Sequence, residues 1–515
     1  MTSQPERHPS ADRSALVRTL DMLERMGNRL PDPISLFALF AVLVVALSWV
    51  CSHLGVSAIH PKDGSTVMVV DLLTRENVRR MFTDAVKNFM GFAPLGVVLV
   101  AMLGVGVAEG SGLIAAALRA FVLRMPRNLL TASVVLAGLL SHVAADAGIV
   151  ILPPLAALLF AASGRHPLAG LAAAFAGVAG GFSANLLPAP LDAVLAGLSQ
   201  EALTASKLLP GYQVQMLGNY FFLAASTPLL VAVGTWVTHS IVEPRLGPWH
   251  GPSEMAGALG ADERRGLKAA GWATLTMLVL IGALALMPNA PLAVDTGSSL
   301  ERFKPLLESI VVVIALLFFV PGVAYGIATG KVKSDHDVAK LTSDSIASMA
   351  GYIVIAFVAA QFINYFAWSN LGAILAIRGA EQLKLLGLDG AGLMVSFILF
   401  TAAVDMLVSS ASAKWAIMAP VFVPMLVLLG YTPEATQAIY RVGDSCVNII
   451  TPLLPYMPFI LATARRYDPK AGSGTLVALM LPYSAVFLVA WTALLLVFYF
   501  AHWPLGPGVP FHLPR

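Results

Sequence analysis

Apolar runs separated by short polar stretches fill the chain, and several exceed the roughly 18 residues that a membrane-crossing helix needs. Runs near 34–54, 91–108, 213–238, 269–287, 306–329, 346–372 and 475–500 read as uninterrupted helices. Two others are punctuated. The run at about 167–199 carries SANLLPAPLD (Ser183–Asp192), and the run at about 441–463 carries NIITP (Asn448–Pro452). Both read as spans broken within the membrane. Two further stretches are too long for one crossing and carry polar interruptions. The first, about 129–166, holds Asp146-Ala-Gly148 and Pro153-Pro154; the second, about 391–430, holds SSASAKW (Ser409–Trp415). They read as re-entrant helical hairpins with tips near Asp146 and Ser409. The pattern predicts an all-α polytopic membrane protein with about nine transmembrane helices and two re-entrant hairpins.

The two halves echo each other. Asp146 precedes Pro153 by the same interval that separates Ala413 from Pro420. Each hairpin is followed by a broken span with similar punctuation, Gly181, Ser183, Asn185 and Pro188 against Gly443, Ser445, Asn448 and Pro452. A hairpin and a broken helix, repeated with opposite topology, make an inverted repeat whose helix breaks meet near the midplane. Small residues and prolines are also common wherever membrane helices pack closely. Residues 1–33 form an amphipathic lead, 34–500 one membrane unit and 501–515 a short tail.

Composition agrees with this class. The 515 residues are 57% hydrophobic and 12% charged, about half the charge of a soluble domain. A net charge of +3 gives no reason to expect a nucleic-acid partner; membrane lipid is the expected surroundings. Cys51 and Cys446 lie in separate apolar segments, so neither a disulfide framework nor a cysteine metal site is indicated. The first 30 residues are polar and Arg-rich, which leaves the first span to serve as an uncleaved insertion signal. Basic residues lean toward one set of loops, including Arg119, Arg124, Arg127, Arg165, Arg245 and Lys331, which predicts a cytoplasmic N-terminus.

The chemistry concentrates between Asp405 and Arg466, an apolar stretch that nonetheless carries Asp405, Lys414, Arg441 and Asp444. Charges at membrane depth usually face a cavity or a partner, and mark transport paths. Arg441 and Asp444, spaced i, i+3, share a helix face and could neutralise each other; alternatively Asp444 exchanges a proton or cation while Arg441 draws a carboxylate. Lys414 is either counter-ion to Asp405 or Asp444, or part of an anion site. Asp192 follows a helix break with no basic residue near it in sequence, which suits a proton carrier. Trp415 would stack on an aromatic ligand or plug the hairpin tip. Ser183, Asn185, Ser412 and Asn448 offer neutral oxygens to a hard cation such as sodium, or cap broken half-helices. Asp146 could stabilise the first tip or join an ion site. His142, four residues before it, fits a core hydrogen-bonded pair better than a metal site. No phosphate-cradling loop, nucleophile elbow or zinc motif appears, so an intramembrane enzyme is disfavoured and no cofactor is expected beyond a coupling Na⁺ or H⁺.

SASAKWAIMAPVFVPMLVLLGYTPEATQAIYRVGDSCVNIITPLLPY resembles the signature region of the p-aminobenzoyl-glutamate transporter (AbgT) family. The resemblance extends to LERMGNRLPDPISLF, FAPLGVVLVAMLGVGVAEGSGLI, SHVAADAGIVILPPLAALLF and GGFSANLL, about residues 18–500. It implies a bacterial inner-membrane homodimer of subunits with nine spans and two hairpins. It further implies movement of p-aminobenzoyl-glutamate, or export of sulfonamide antimetabolites, driven by an ion gradient. Positions matching residues implicated in family transport are Asp192, Ser412, Trp415, Pro433, Arg441, Asp444 and Pro452. The chain departs from the family's usual Asn at Asp405. Another reading is a sodium-coupled carboxylate carrier of the wider ion-transporter group.

Overall fold

The computed structural model describes residues 33–59, 64–124, 126–144, 147–251, 259–294, 302–451 and 453–514. The N-terminal lead, the tip residue Asp146 and Pro452 lie outside them. Among the described residues the molecule is helical apart from a two-stranded hairpin, Ser57–Ile59 paired with Thr66–Met68. That hairpin and the helices Arg75–Thr83 and Ala85–Met90 lie between the first two apolar runs.

Seven described helices are long and apolar enough to cross a membrane, from Ile34–His53 to Ser473–Phe500. An eighth candidate is the pair Leu95–Ser111 and Leu113–Leu123, bent by 63° at Gly112, whose φ of 92° lies in the left-handed region that glycine adopts without strain. Arg119 therefore sits on a helix and not in the expected basic loop. Length and apolar character alone do not separate the expected crossings from the arms of the helix pairs. The two broken spans divide into segments too short to count, while Ala411–Leu428, one arm of a predicted hairpin, is long enough alone. Leu371–Leu385, a helix with a polar face, was not anticipated.

The two stretches read as hairpins each hold two helices: Leu130–Leu140 and Ala147–Ala162 in the first, Gly390–Asp405 and Ala411–Leu428 in the second. Pro153 and Pro154 do not interrupt the first pair; they lie inside Ala147–Ala162, as Pro420 and Pro424 lie inside Ala411–Leu428. Each proline removes one backbone donor, and packed neighbours make the freed carbonyls tolerable at depth. The first broken helix runs Pro167–Gly180, its last turn a π segment, then passes through turns and bends to Pro190–Ser206. The second comprises Pro433–Val447 and Met457–Arg465.

Each broken helix is clamped to the first arm of its own pair through a glycine. A Cβ on Gly177 would stand 2.6 Å from the Val135 carbonyl oxygen of Leu130–Leu140. One on Gly443 would stand 2.8 Å from Thr401 Cβ and within clash distance of the Ile398 carbonyl of Gly390–Asp405. Each broken helix also crosses to the other repeat: Pro190–Ser206 packs on Ala411–Leu428, and Met457–Arg465 on Ala147–Ala162. The tail closes one end. Thr432 N donates to the Phe511 carbonyl at 2.9 Å, Leu513 N to the Gly430 carbonyl at 2.9 Å, and Phe222 N to the Leu505 carbonyl at 3.0 Å.

Gly443→Val should consequently cost about 1–3 kcal/mol by overpacking, whereas Gly392→Val, with nothing within 4 Å of its Cβ position, should not. Thermal melting of the two purified variants in detergent checks this; equal melting temperatures would refute the clamp.

Candidate functional site

The start of one helix and the second half of another bring the charged residues together. Ser410 caps Ala411–Leu428, its hydroxyl accepting from Ala413 N at 3.4 Å, so Ser412, Lys414 and Trp415 fall in the first turns. Thr432 caps Pro433–Val447, accepting from Ala435 N at 3.2 Å, with Pro433 at the first helical position where its missing N–H costs nothing. Every residue of Pro433–Val447 is buried, which places Arg441 and Asp444 inside the protein.

Lys414 settles between two carboxylates. Its Nζ pairs with Asp405 Oδ1 and, at 2.7 Å, with Asp444 Oδ1. All three side chains are at most 1% exposed. The Tyr440 hydroxyl lies 2.9 Å from Asp444 Oδ1 and 2.6 Å from the Ala411 carbonyl. Arg441 turns the other way. Its Nη2 meets Asp192 Oδ1 at 2.7 Å, and Asp192 Oδ2 accepts the Ala189 backbone N–H at 2.7 Å, capping Pro190–Ser206. Thus Arg441 and Asp444 do not neutralise each other, Lys414 serves both acids, and Asp192 has a basic partner that is distant in sequence.

Trp415 is fully buried. Its Nε1 donates to Ser199 Oγ at 3.0 Å, and its ring lies 4.4 Å from that of Tyr440, centroid to centroid. The indole therefore ties the second helix pair to the first broken helix, with its ring packed inside the protein. Asn448 ends Pro433–Val447 with Oδ1 unpartnered. Asn185 Oδ1 accepts from Leu187 N at 3.1 Å within the first break, and its Nδ2 and the neighbouring Ser183 Oγ have no partner.

A cavity of about 250 Å³ lies beside this array. Ser183, Asn185, Asp192, Ser412 and Arg441 reach its wall, and Val98, Met102 and Met349 make part of it apolar. His142, Phe182 and Tyr352 line it as well. Sequence reasoning passed over Phe182 and Tyr352, and treated His142 as core, since none carries a charge pattern. Asp405, Lys414, Trp415 and Asp444 do not line the cavity. Glu434, also missed, is buried at the opposite end of its helix, accepting from Tyr212 Oη at 2.8 Å and Gln215 N at 3.0 Å.

Comparison with known proteins agrees with this architecture. The model of the AbgT putative transporter family matches residues 18–513. The chain belongs to the AbgT family. It is 39% identical to the p-aminobenzoyl-glutamate transport protein of Escherichia coli (strain K12), over 97% of this chain and 98% of that protein. Among solved structures it resembles the Alcanivorax borkumensis YdaH transporter, described as having an unusual topology, with TM-score 0.88 and 46% identity over 92% of this chain and all of that one. It also resembles Neisseria gonorrhoeae MtrF, described as illuminating a class of antimetabolite efflux pumps, with TM-score 0.87 and 43% identity over 96% of this chain and all of that one. As an AbgT family member this is a multi-span membrane transporter.

Removing one partner of a buried ion pair costs about 3–5 kcal/mol because the other charge is stranded. Lys414→Met strands two carboxylates, while Asp405→Asn leaves Lys414 paired with Asp444. Lys414→Met should melt well below Asp405→Asn, and the double variant should recover part of the loss. Equal losses from the two single variants, measured on purified protein, would contradict a shared ammonium.

Proposed function

We propose that this chain is a gradient-driven secondary transporter for an aromatic carboxylate of the p-aminobenzoyl-glutamate type, with the cavity beside Arg441 as its substrate site. The observation that carries this is the guanidinium at the wall: Nη2 is held by Asp192, while Nε is buried without a partner. A planar fork with a free donor suits a ligand carboxylate. The volume, just under the roughly 300–1,000 Å³ of drug-sized pockets, suits one ring and a short polar arm.

Coupling follows from charge. Asp192, Asp405 and Asp444 face only Lys414 and Arg441 in this buried set, one carboxylate in excess. Uncompensated charge in a low-dielectric interior costs several kcal/mol, so a proton or sodium ion completes the set. When a ligand carboxylate takes Arg441, Asp192 is released and a further cation is drawn in. Asp405 and Asp444 tune that exchange through Lys414; Ser183, Asn185, Ser412 and Asn448 are the neutral oxygens near it. The helix pairs act as re-entrant hairpins of an inverted repeat, and the interlocked broken helices rock between them. The working form is a homodimer in a bacterial inner membrane with a cytoplasmic N-terminus. Export of sulfonamide-like antimetabolites is a second reading, favoured by the likeness to MtrF.

Purified protein in liposomes should exchange labelled p-aminobenzoyl-glutamate in counterflow, and an imposed proton or sodium gradient should concentrate it. Asp192→Asn should retain folded protein and lose most of the gradient-driven flux. Absence of counterflow for this ligand and for sulfonamides would defeat the proposal; wild-type flux in Asp192→Asn would defeat the coupling scheme.

A further inference from the structure

Away from the cavity, the segment Arg75–Met90 presents a face that the transport site does not use. Its two short helices, Arg75–Thr83 and Ala85–Met90, follow one another with helical spacing. Asp84 N donates to the Arg80 carbonyl at 2.9 Å, and Asn88 N to the Asp84 carbonyl at 2.7 Å. Positions three and four apart share a face, so Arg75, Arg79, Phe82, Val86 and Met90 form one strip, basic at its start and apolar beyond. Phe82, Val86 and Met90 are 81%, 70% and 73% exposed. A continuous apolar strip this open marks a contact surface.

The opposite face sets the depth of the segment. The Arg80 guanidinium lies 3.9 Å over the Trp368 ring, and Phe89 meets Phe357 edge-on at 5.6 Å. Between them Asn88 Nδ2 donates to Gln361 Oε1 at 2.9 Å, and Gln361 Nε2 donates to the Ala85 carbonyl at 3.0 Å. The segment therefore descends beside Ala350–Trp368, a helix long and apolar enough to cross a membrane, starting from its C-terminal end. From Trp368 back to Phe357 is roughly 16 Å along a helix, about half of a hydrocarbon core roughly 30 Å thick. Arg75 and Arg79 accordingly stand near headgroup level, and Phe82, Val86 and Met90 run down one leaflet.

Charge decides what covers the strip. Arg80 is engaged by Asp84 at 3.4 Å. Within the segment Glu76 alone remains to offset the exposed Arg75, Arg79 and Lys87. A second copy of the chain fits poorly, because a two-fold contact would press this positive excess against itself. An anion with an apolar tail fits, since a guanidinium takes a phosphate in two parallel hydrogen bonds.

We propose that this strip binds an anionic phospholipid, its phosphate held by Arg75 and Arg79 and an acyl chain laid along Phe82, Val86 and Met90. The lipid braces two walls of the cavity, whatever the cavity carries. The segment leads through Phe92 into Ala93–Ser111, which supplies Val98 and Met102, and it is bonded to Ala350–Trp368, which supplies Tyr352.

Native mass spectrometry of the purified full-length protein, with phosphatidylglycerol or phosphatidylcholine of the same acyl chains, tests this. Wild type should bind phosphatidylglycerol about tenfold more tightly. Arg75→Gln/Arg79→Gln should bring the two lipids within about twofold of each other. Arg302→Gln/Lys304→Gln, which removes two exposed basic residues elsewhere, should keep the preference. Phe82→Glu should weaken the binding of both lipids and leave the number of subunits unchanged. Equal binding of the two lipids by wild type would overturn the inference. So would a preference that persists without Arg75 and Arg79, or one lost equally in the Arg302/Lys304 variant. A changed subunit number in Phe82→Glu would assign the strip to a second copy, and overturn it as well. The wild-type comparison needs no variant to fold.

Discussion

One ammonium group holds the middle of this protein in register. Lys414 stands at the start of a helix, fully buried, and neutralises a carboxylate from the other arm of its pair and one from the second broken helix. Taking three charged groups out of water is expensive, and mutual attraction repays it only when the geometry is good and the remaining atoms are met. Here Asp405 Oδ2 and Asp444 Oδ2 remain unmet. The cluster is therefore an unlikely choice for stability alone, and its position beside a cavity gives it a use.

The rest of the architecture keeps that cluster dry while leaving its neighbour accessible. Glycines at 177 and 443 let each broken helix sit against its own pair at backbone distance. The Trp415–Ser199 bond crosses between the repeats. Arg441 and Asp192 form the boundary: their pair belongs to the buried array, yet both side chains reach the cavity wall. A ligand that competes for Arg441 thereby changes the charge balance of the buried array without touching Lys414.

Much of this was legible in the chain. Hydrophobic run lengths located the long helices, and the polar punctuation at Ser183–Asp192 and Asn448–Pro452 located both breaks. Charges at membrane depth marked Asp192, Asp405, Lys414, Arg441 and Asp444 because nothing else justifies their cost. The pairing was legible only in part: Lys414 was read as a possible counter-ion to Asp405 or Asp444, and it meets both. Spacing on one helix suggested Arg441 with Asp444, but pairing partners 249 positions apart, such as Asp192 and Arg441, depend on how the repeats interlock. Pro153 and Pro154 were over-read as an interruption, since packed neighbours let the helix continue through them. Phe182 and Tyr352 were passed over, and His142 was read as core, because an uncharged side chain in an apolar run looks like core until a cavity is seen beside it.

The central claim is that a ligand carboxylate and Asp192 compete for Arg441, so that binding is linked to cation uptake. Calorimetric titration of p-aminobenzoyl-glutamate into the purified protein measures that linkage directly, in buffers of different ionisation enthalpy and at varied sodium under constant ionic strength. The account predicts uptake of about one proton or one sodium ion per ligand bound, lost in Asp192→Asn. Binding whose affinity and buffer-corrected enthalpy respond to neither ion would contradict it.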